Sequence, residues 1–257
     1  MVRLKKVRRD APWDWLKSGF ADMMKTPAIS IGYGAVFTLV GIGITLALWM
    51  GGQAAAAPVF VAGFALVAPA FAVGVYRINQ VREAGHAPRL FDFWAIPPSR
   101  LGQLALLSVL LLVFFLTWAR LAQFLFAYFA HESYMPLGEF SRFALTDPAG
   151  LTLIVVGTAI GAVLAFAAFM VSALAFPMLA DQDVDAVTAV VASVKAVLAQ
   201  PFVMITWAWL IAFMVAVGGA LFLVGIAVAF PWLAHASWRA YRDFAPEPEH
   251  AASVNAA

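Results

Sequence analysis

No cysteine occurs among the 257 residues, which excludes disulfides, thiolate metal sites and cysteine nucleophiles whatever the compartment. Charge is nearly as scarce. Asp, Glu, Lys and Arg make up 12% of the chain, about half the share of a soluble domain, against 64% hydrophobic residues. No charged residue stands between Lys25 and Arg77 for 51 positions, nor between Lys195 and Arg239 for 43. A helix needs roughly 20 apolar residues to cross the hydrocarbon, so each gap holds two crossings joined by a short turn. The chain reads as an all-α polytopic membrane protein. Basic residues run on to Lys25, with no small-residue cleavage site ahead of the first long span, so no secretory signal is expected.

The first gap breaks at Gly51-Gly52-Gln53 ahead of Pro58, and the second at Gly218-Gly219. Between them, residues 101–119 are uncharged for 19 positions and 148–180 for 33. Six transmembrane helices are expected, near 28–50, 57–78, 101–120, 150–180, 201–217 and 220–240. They form one domain over 27–245, between a basic arm with an amphipathic helix (1–26) and a disordered tail (246–257). Of the 16 Lys and Arg residues, 14 fall on the side that both termini would share, the exceptions being Arg120 and Arg142. Positive flanks resist translocation, which puts both termini in the cytoplasm.

Part of the chain repeats. Ala175-Phe176-Pro177-Met178-Leu179-Ala180 returns as Ala229-Phe230-Pro231-Trp232-Leu233-Ala234, and Val67-Ala68-Pro69-Ala70-Phe71-Ala72 is a worn copy. Arg77 follows Pro69 by eight residues, as Arg239 follows Pro231. Ahead of the hairpins, Trp13, Leu16, Phe20 and Met23 share a helical stripe, as do Val187, Val190, Val194 and Val197; Pro27 and Pro201 follow in the same relative place. Residues 89–97 form a degenerate third copy. The expected unit is a cytoplasmic amphipathic surface helix followed by a hairpin, used three times as parallel repeats.

Few residues carry chemistry. Arg120 lies about 28 Å along its helix from Leu101 at 1.5 Å per residue, with an apolar stretch on either side. It is either a functional group within the membrane or a snorkelling side chain at the outer headgroups, with 121–130 lying along that interface and Glu132, Glu139 and Asp147 as partners. Pro69, Pro177 and Pro231 each free a carbonyl one turn back, which can line an ion site or be satisfied by a neighbouring hydroxyl. Gly157 and Gly161 form a small-residue stripe for close helix approach. Of four histidines only His235 falls inside an expected span, so haem and transition-metal sites are not expected, nor any other cofactor. Asp181, Asp183 and Asp185 resemble the start of a calcium loop, but Ala186 and Ala192 replace its Gly and Glu, leaving an acidic helix start. Phosphate loops and nucleophile elbows are missing, and Ser237 near His235 is a weak nucleophile-and-base pair. Arg3, Lys5, Lys6, Arg8 and Arg9 form an arm suited to anionic lipid headgroups, each contributing about 1 kcal/mol. The bilayer and other membrane proteins are the expected partners, not nucleic acid.

The stretches Pro148-Ala-Gly to Gln200-Pro201, Trp232-Leu-Ala-His-Ala-Ser-Trp-Arg-Ala-Tyr-Arg-Asp243 and Trp118-Ala-Arg120-Leu121-Ala122 resemble a family of uncharacterised bacterial integral membrane proteins, domain of unknown function 2189. The resemblance implies a bacterial inner-membrane location and no particular activity. Members sometimes bear names suggesting cytochrome c oxidase subunit I. Such a subunit has about twelve helices and several intramembrane histidines, against six expected spans and one such histidine here. The leading expectation is a non-enzymatic scaffold or accessory subunit. The rival is a carrier or channel for an apolar or lipid-like solute, with Arg120 at its outer mouth; an intramembrane hydrolase using Ser237 and His235 is the third.

Overall fold

The computed structural model describes residues 5–132, 135–221 and 223–245, and among these there is no strand. The helices are α1 (Ala11–Met23), α2 (Pro27–Met50), α3 (Ala57–Glu83), α4 (Pro98–Ala130), α5 (Leu137–Thr146), α6 (Pro148–Ser172), α7 (Ala175–Asp181), α8 (Ala186–Ala199), α9 (Pro201–Ala220) and α10 (Ile226–Phe244). Proline stands in the first turn of α1, α2, α3, α4, α6 and α9, where its missing N–H costs nothing and its fixed φ suits the helix. α2 stops where Gly52 turns left-handed at φ 72°, closed by the Gln53 N–H donating to the Leu48 carbonyl at 2.7 Å. α3 closes the same way through Gly85 (φ 79°) and the His86 N–H.

Five segments are long and apolar enough to cross a membrane: α2, residues 59–83, α4, residues 148–181 and α9. The sixth expected span does not qualify by composition. α10 starts at Ile226 rather than 220, and its second half carries His235, Arg239, Arg242 and Asp243. α9 runs through Gly218-Gly219 to Ala220, so the turn into α10 comes after the expected break. Gly218 serves close approach instead of a break: a Cβ on Gly225 would lie 2.7 Å from the Gly218 Cα. α3 runs five residues beyond the expected end at 78. α4 spans 33 residues, about 50 Å, continuing straight through Arg120 where a bend onto the interface was one expectation.

The bundle closes around α3, α7 and α10. α10 packs on α2 and α3, and α3 also packs on α4 and α7. The core is filled by Leu66, Leu107, Leu111, Phe176, Trp207 and Trp238, all at or below 7% exposure. An aromatic stack of Tyr33, Phe37, Phe64, Phe71, Phe93 and Phe230 joins α2, α3 and α10, with Tyr33 and Phe93 at 4.3 Å.

The two surface helices turn only part of each apolar stripe into the bundle. On α1 the buried residues are Ala11, Pro12, Trp15, Gly19, Asp22 and Met23, whereas Trp13 and Phe20 of the apolar stripe are exposed. On α8 the buried face is Ala186, Ala189, Ala192, Ser193, Ala196 and Val197, whereas Val187 is exposed and Val190 and Val194 are half-buried. Small residues let helices approach closely where lipid already solvates the large apolar ones. Gly19 shows it: a Cβ there would sit 2.5 Å from the Ala236 backbone nitrogen of α10.

Candidate functional site

Helix spacing stacks two polar layers at the charged end of the bundle. On α3, Asn79 and Arg82 are one turn apart; on α10, so are His235 and Arg239. In the inner layer the His235 Nδ1 lies 2.9 Å from the Asn79 Oδ1, and its Nε2 3.0 Å from the Ser30 Oγ of α2. All three residues are buried, at 3% exposure or less. The Asn79 amide nitrogen donates to the Val75 carbonyl at 3.1 Å, which turns Oδ1 towards the ring and assigns the ring proton to Nδ1. Nε2 is then an acceptor for the Ser30 hydroxyl, and Ser30 is also 3.2 Å from the Thr26 hydroxyl.

The outer layer centres on Asp22 of α1, its side chain 2% exposed. Arg239 reaches its carboxylate at 2.5 Å, Lys25 at 3.1 Å and Arg82 at 3.2 Å. Burial pushes this carboxyl up, but the hydrogen bonds from Arg239 and Lys25, the Arg239 charge and the Arg82 bond outweigh it and hold the pKa at about 2. Beyond this layer Arg242 bridges Glu83 of α3 (2.6 Å) and Asp181 of α7 (2.9 Å), and lies 4.6 Å over the Trp238 ring. Trp238 donates to Glu83 at 2.8 Å, and Tyr241 to Asp181 at 2.8 Å. The ends of α3, α7 and α10 are thus tied by charge.

Ser30, His235 and Asn79 share the connectivity of a nucleophile, base and orienting group. Two surface hollows do not touch them: one lies along α4, the other beside the end of α3. What the layer does geometrically is join three helices. Ser237, the expected partner of His235, is two positions on and faces away, towards Tyr76.

The other sequence candidates separate. Arg120 is exposed, and its guanidinium donates to Gln123 at 3.3 Å in place of the expected carboxylates. The dent beside it, about 400 Å³, is lined by α4 residues alone. Pro231 frees the Ala227 carbonyl, against which Gly34 of α2 packs so closely that a Cβ would lie 2.1 Å from that oxygen. Pro177 follows a break at Ala173-Leu174 between α6 and α7. There the Ser193 hydroxyl of α8 enters the ladder, accepting from the Leu174 N–H at 3.1 Å and donating to the Met170 carbonyl at 2.8 Å. Pro69 sits within α3, half-buried, without ending it. Gly161 packs on the Trp118 ring of α4, while Gly157 meets nothing within 4 Å. Of the acidic run, Asp185 caps α8 through Thr188, and among the described residues no three His, Asp or Glu side chains converge to hold a metal.

The basic arm is strapped to the same end. Lys5 donates its N–H to the Phe244 carbonyl at 3.3 Å, and the Gln200 side chain bonds the Val7 N–H and the Lys5 carbonyl. Arg8 pairs with Asp10 and Asp14, and Arg9 lies 5.5 Å over the Phe202 ring. Arg3 and the tail from 246 lie outside the described residues. Sequence reasoning picks out His235 but misses Ser30, Asn79 and Asp22. The available signal was Asn79, one of two asparagines in the chain, at the polar end of a long apolar segment and one turn before Arg82.

No curated protein and no solved structure matches the chain. Five helical segments long and apolar enough to cross a bilayer make this a multi-pass integral membrane protein, and over residues 56–181 the chain is similar to DUF2189, a family described as predicted integral membrane protein.

Proposed function

We propose that the protein is a non-enzymatic scaffold or accessory subunit of the bacterial inner membrane, a six-span bundle with both termini in the cytoplasm. The observation that carries the reading is how the buried polar groups are used. Ser30, Asn79, His235 and Asp22 are all spent on joining α1, α2, α3 and α10, and the centre between them is packed with side chains. A carrier needs a cavity that opens by turns to each face; the hollow near Arg120 lies on the outside of a single helix.

The contact between Lys5 and Phe244 supports the sixth crossing. Five crossings would leave the chain ends on opposite faces, whereas these residues touch. α10 has low hydropathy because it is the most enclosed of the long helices, and a span shielded from lipid tolerates polar residues. The parallel repeats are supported by a cyclic pattern in which each surface element packs on the last helix of the unit before it: residues 90–94 on α3, α8 on α7, and α1 on α10.

The test is reconstitution of the full chain into vesicles, with solute leakage and lipid flip rates compared with protein-free vesicles. The scaffold reading expects equal rates, together with a membrane protein that co-purifies at fixed stoichiometry in mild detergent. Flux above the protein-free rate would overturn it in favour of the carrier.

A further inference from the structure

A hollow of about 640 Å³ opens beside the charged end of α3, lined by Arg77, Gln80, Val81, His86, Arg89 and Asp92 among others. Its floor is α3 and its wall the chain from 86 to 92. The charge is biased to one sign. Arg77 and Arg89 face one carboxylate, and the Asp92 Oδ2 is occupied by the Arg89 backbone N–H at 2.6 Å. Gln80 carries no charge: its Oε1 accepts from Arg77 at 3.1 Å, and its Nε2 donates to the Ala180 carbonyl at 2.8 Å. The last carbonyls of α3 are closed by the backbone N–H groups of Ala84, Gly85 and His86, so they do not compete for the guanidinium groups.

Arg77 is the unusual member. It has a buried Nε with no hydrogen-bond partner. Its repeat counterpart Arg239, also eight residues past the helix proline, is neutralised by Asp22, which the surface helix α1 supplies. The element packed on α3 in α1's place is the turn of residues 90–94, and its acid, Asp92, is turned back onto Arg89. The position that holds a carboxylate in one unit is therefore left to an outside anion in the other.

The surroundings indicate its chemistry. Phe93 of the same turn stacks on Tyr33 in the bundle, while Phe91 two residues earlier is 79% exposed, as an aromatic anchor in the interfacial layer would be. Basic pockets beside transmembrane helices at this depth suit phosphate groups, with paired guanidinium donors giving charge-assisted bonds. We propose that the Arg77–Arg89 hollow binds a phosphate-bearing anion, supplied either as the headgroup of an anionic phospholipid or as a free phosphate.

The test uses the full chain, delipidated in neutral detergent. It is titrated separately with phosphatidylglycerol, with phosphatidylcholine of the same chain length and with inorganic phosphate, and retained molecules are counted by native mass spectrometry. Phosphatidylglycerol retained over phosphatidylcholine, and weakened about fivefold by R89Q and again by R77Q, supports a lipid headgroup. Inorganic phosphate bound with the same dependence on both arginines supports the site and names the soluble source. Lipid bound at the N-terminal arm is common to all variants, so the difference isolates the hollow. Arg89 is exposed and its replacement leaves the fold intact even where R77Q does not fold. Retention of every probe unchanged in R89Q would overturn the proposal.

Discussion

At the residue scale, Asp22 governs the charged end. A buried carboxylate with three cationic partners is not expendable, because its removal leaves those charges facing one another. Asp22→Asn should destabilise the protein by about 3 kcal/mol, the low end for a broken buried pair since Lys25 and Arg239 still reach water; thermal unfolding in detergent measures it. The same residue sets an acid limit. Its folded pKa of about 2 is below the ordinary 3.8, so its contribution is complete above about pH 4 and is lost as pH falls through about 2. Wild-type Tm should drop across that window by more than that of Asp22→Asn, and parallel curves would refute the assignment. The glycines differ in the same local way. Gly34→Ala forces a methyl onto the Ala227 carbonyl and should cost about 1–3 kcal/mol, whereas Gly157→Ala meets nothing and should be neutral or stabilising by up to about 1 kcal/mol.

At the scale of elements, the break between α6 and α7 is held by a side chain from elsewhere. Ser193→Ala should leave the Leu174 N–H and Met170 carbonyl without their partner, at about 1–3 kcal/mol, seen as a lower Tm with the helical circular-dichroism signal retained. Ser193→Thr keeps the hydroxyl but adds a methyl at a fully buried position, and should recover only part of the loss. The break itself was legible as Pro177; the hydroxyl that satisfies it was not, since Ser193 is 16 residues further along the chain. The surface helices were legible as amphipathic segments, but not which face of each would meet the bundle. In water a large apolar stripe would have to turn inwards. Beside lipid, faces rich in small residues pack inwards, with Trp15 and Met23 of α1 and Val197 of α8 among them, and Trp13, Phe20 and Val187 are left outside.

At the scale of the molecule, the native absence of cysteine makes topology measurable without removing any residue. Single cysteines at Lys17 and at Asp243, labelled by a membrane-impermeant maleimide in spheroplasts and in inverted vesicles, should react from the same face. Reaction from opposite faces would mean five crossings and sink the six-span reading. Arg120→Leu offers a second check. Among the described residues its side chain bonds only Gln123, and it lies on the outside of α4, so the variant should keep its stability within about 0.5 kcal/mol, read from Tm, and bind the same partners.

Composition alone determined that the chain is helical and lies in a membrane, because long charge-free runs have no other stable setting. The start of nearly every span was likewise written locally, in prolines and glycines whose backbone preferences act without help from the rest of the fold. The tertiary structure decided what no local pattern holds: that α10 lies at the centre, that Ser30, Asn79 and His235 meet across 205 positions of sequence, and that Asp22 neutralises Arg239 but not Arg77. Such pairings are set by which helices become neighbours. In lipid that depends on shape and buried polar contacts rather than on hydrophobicity, which is nearly the same along every span.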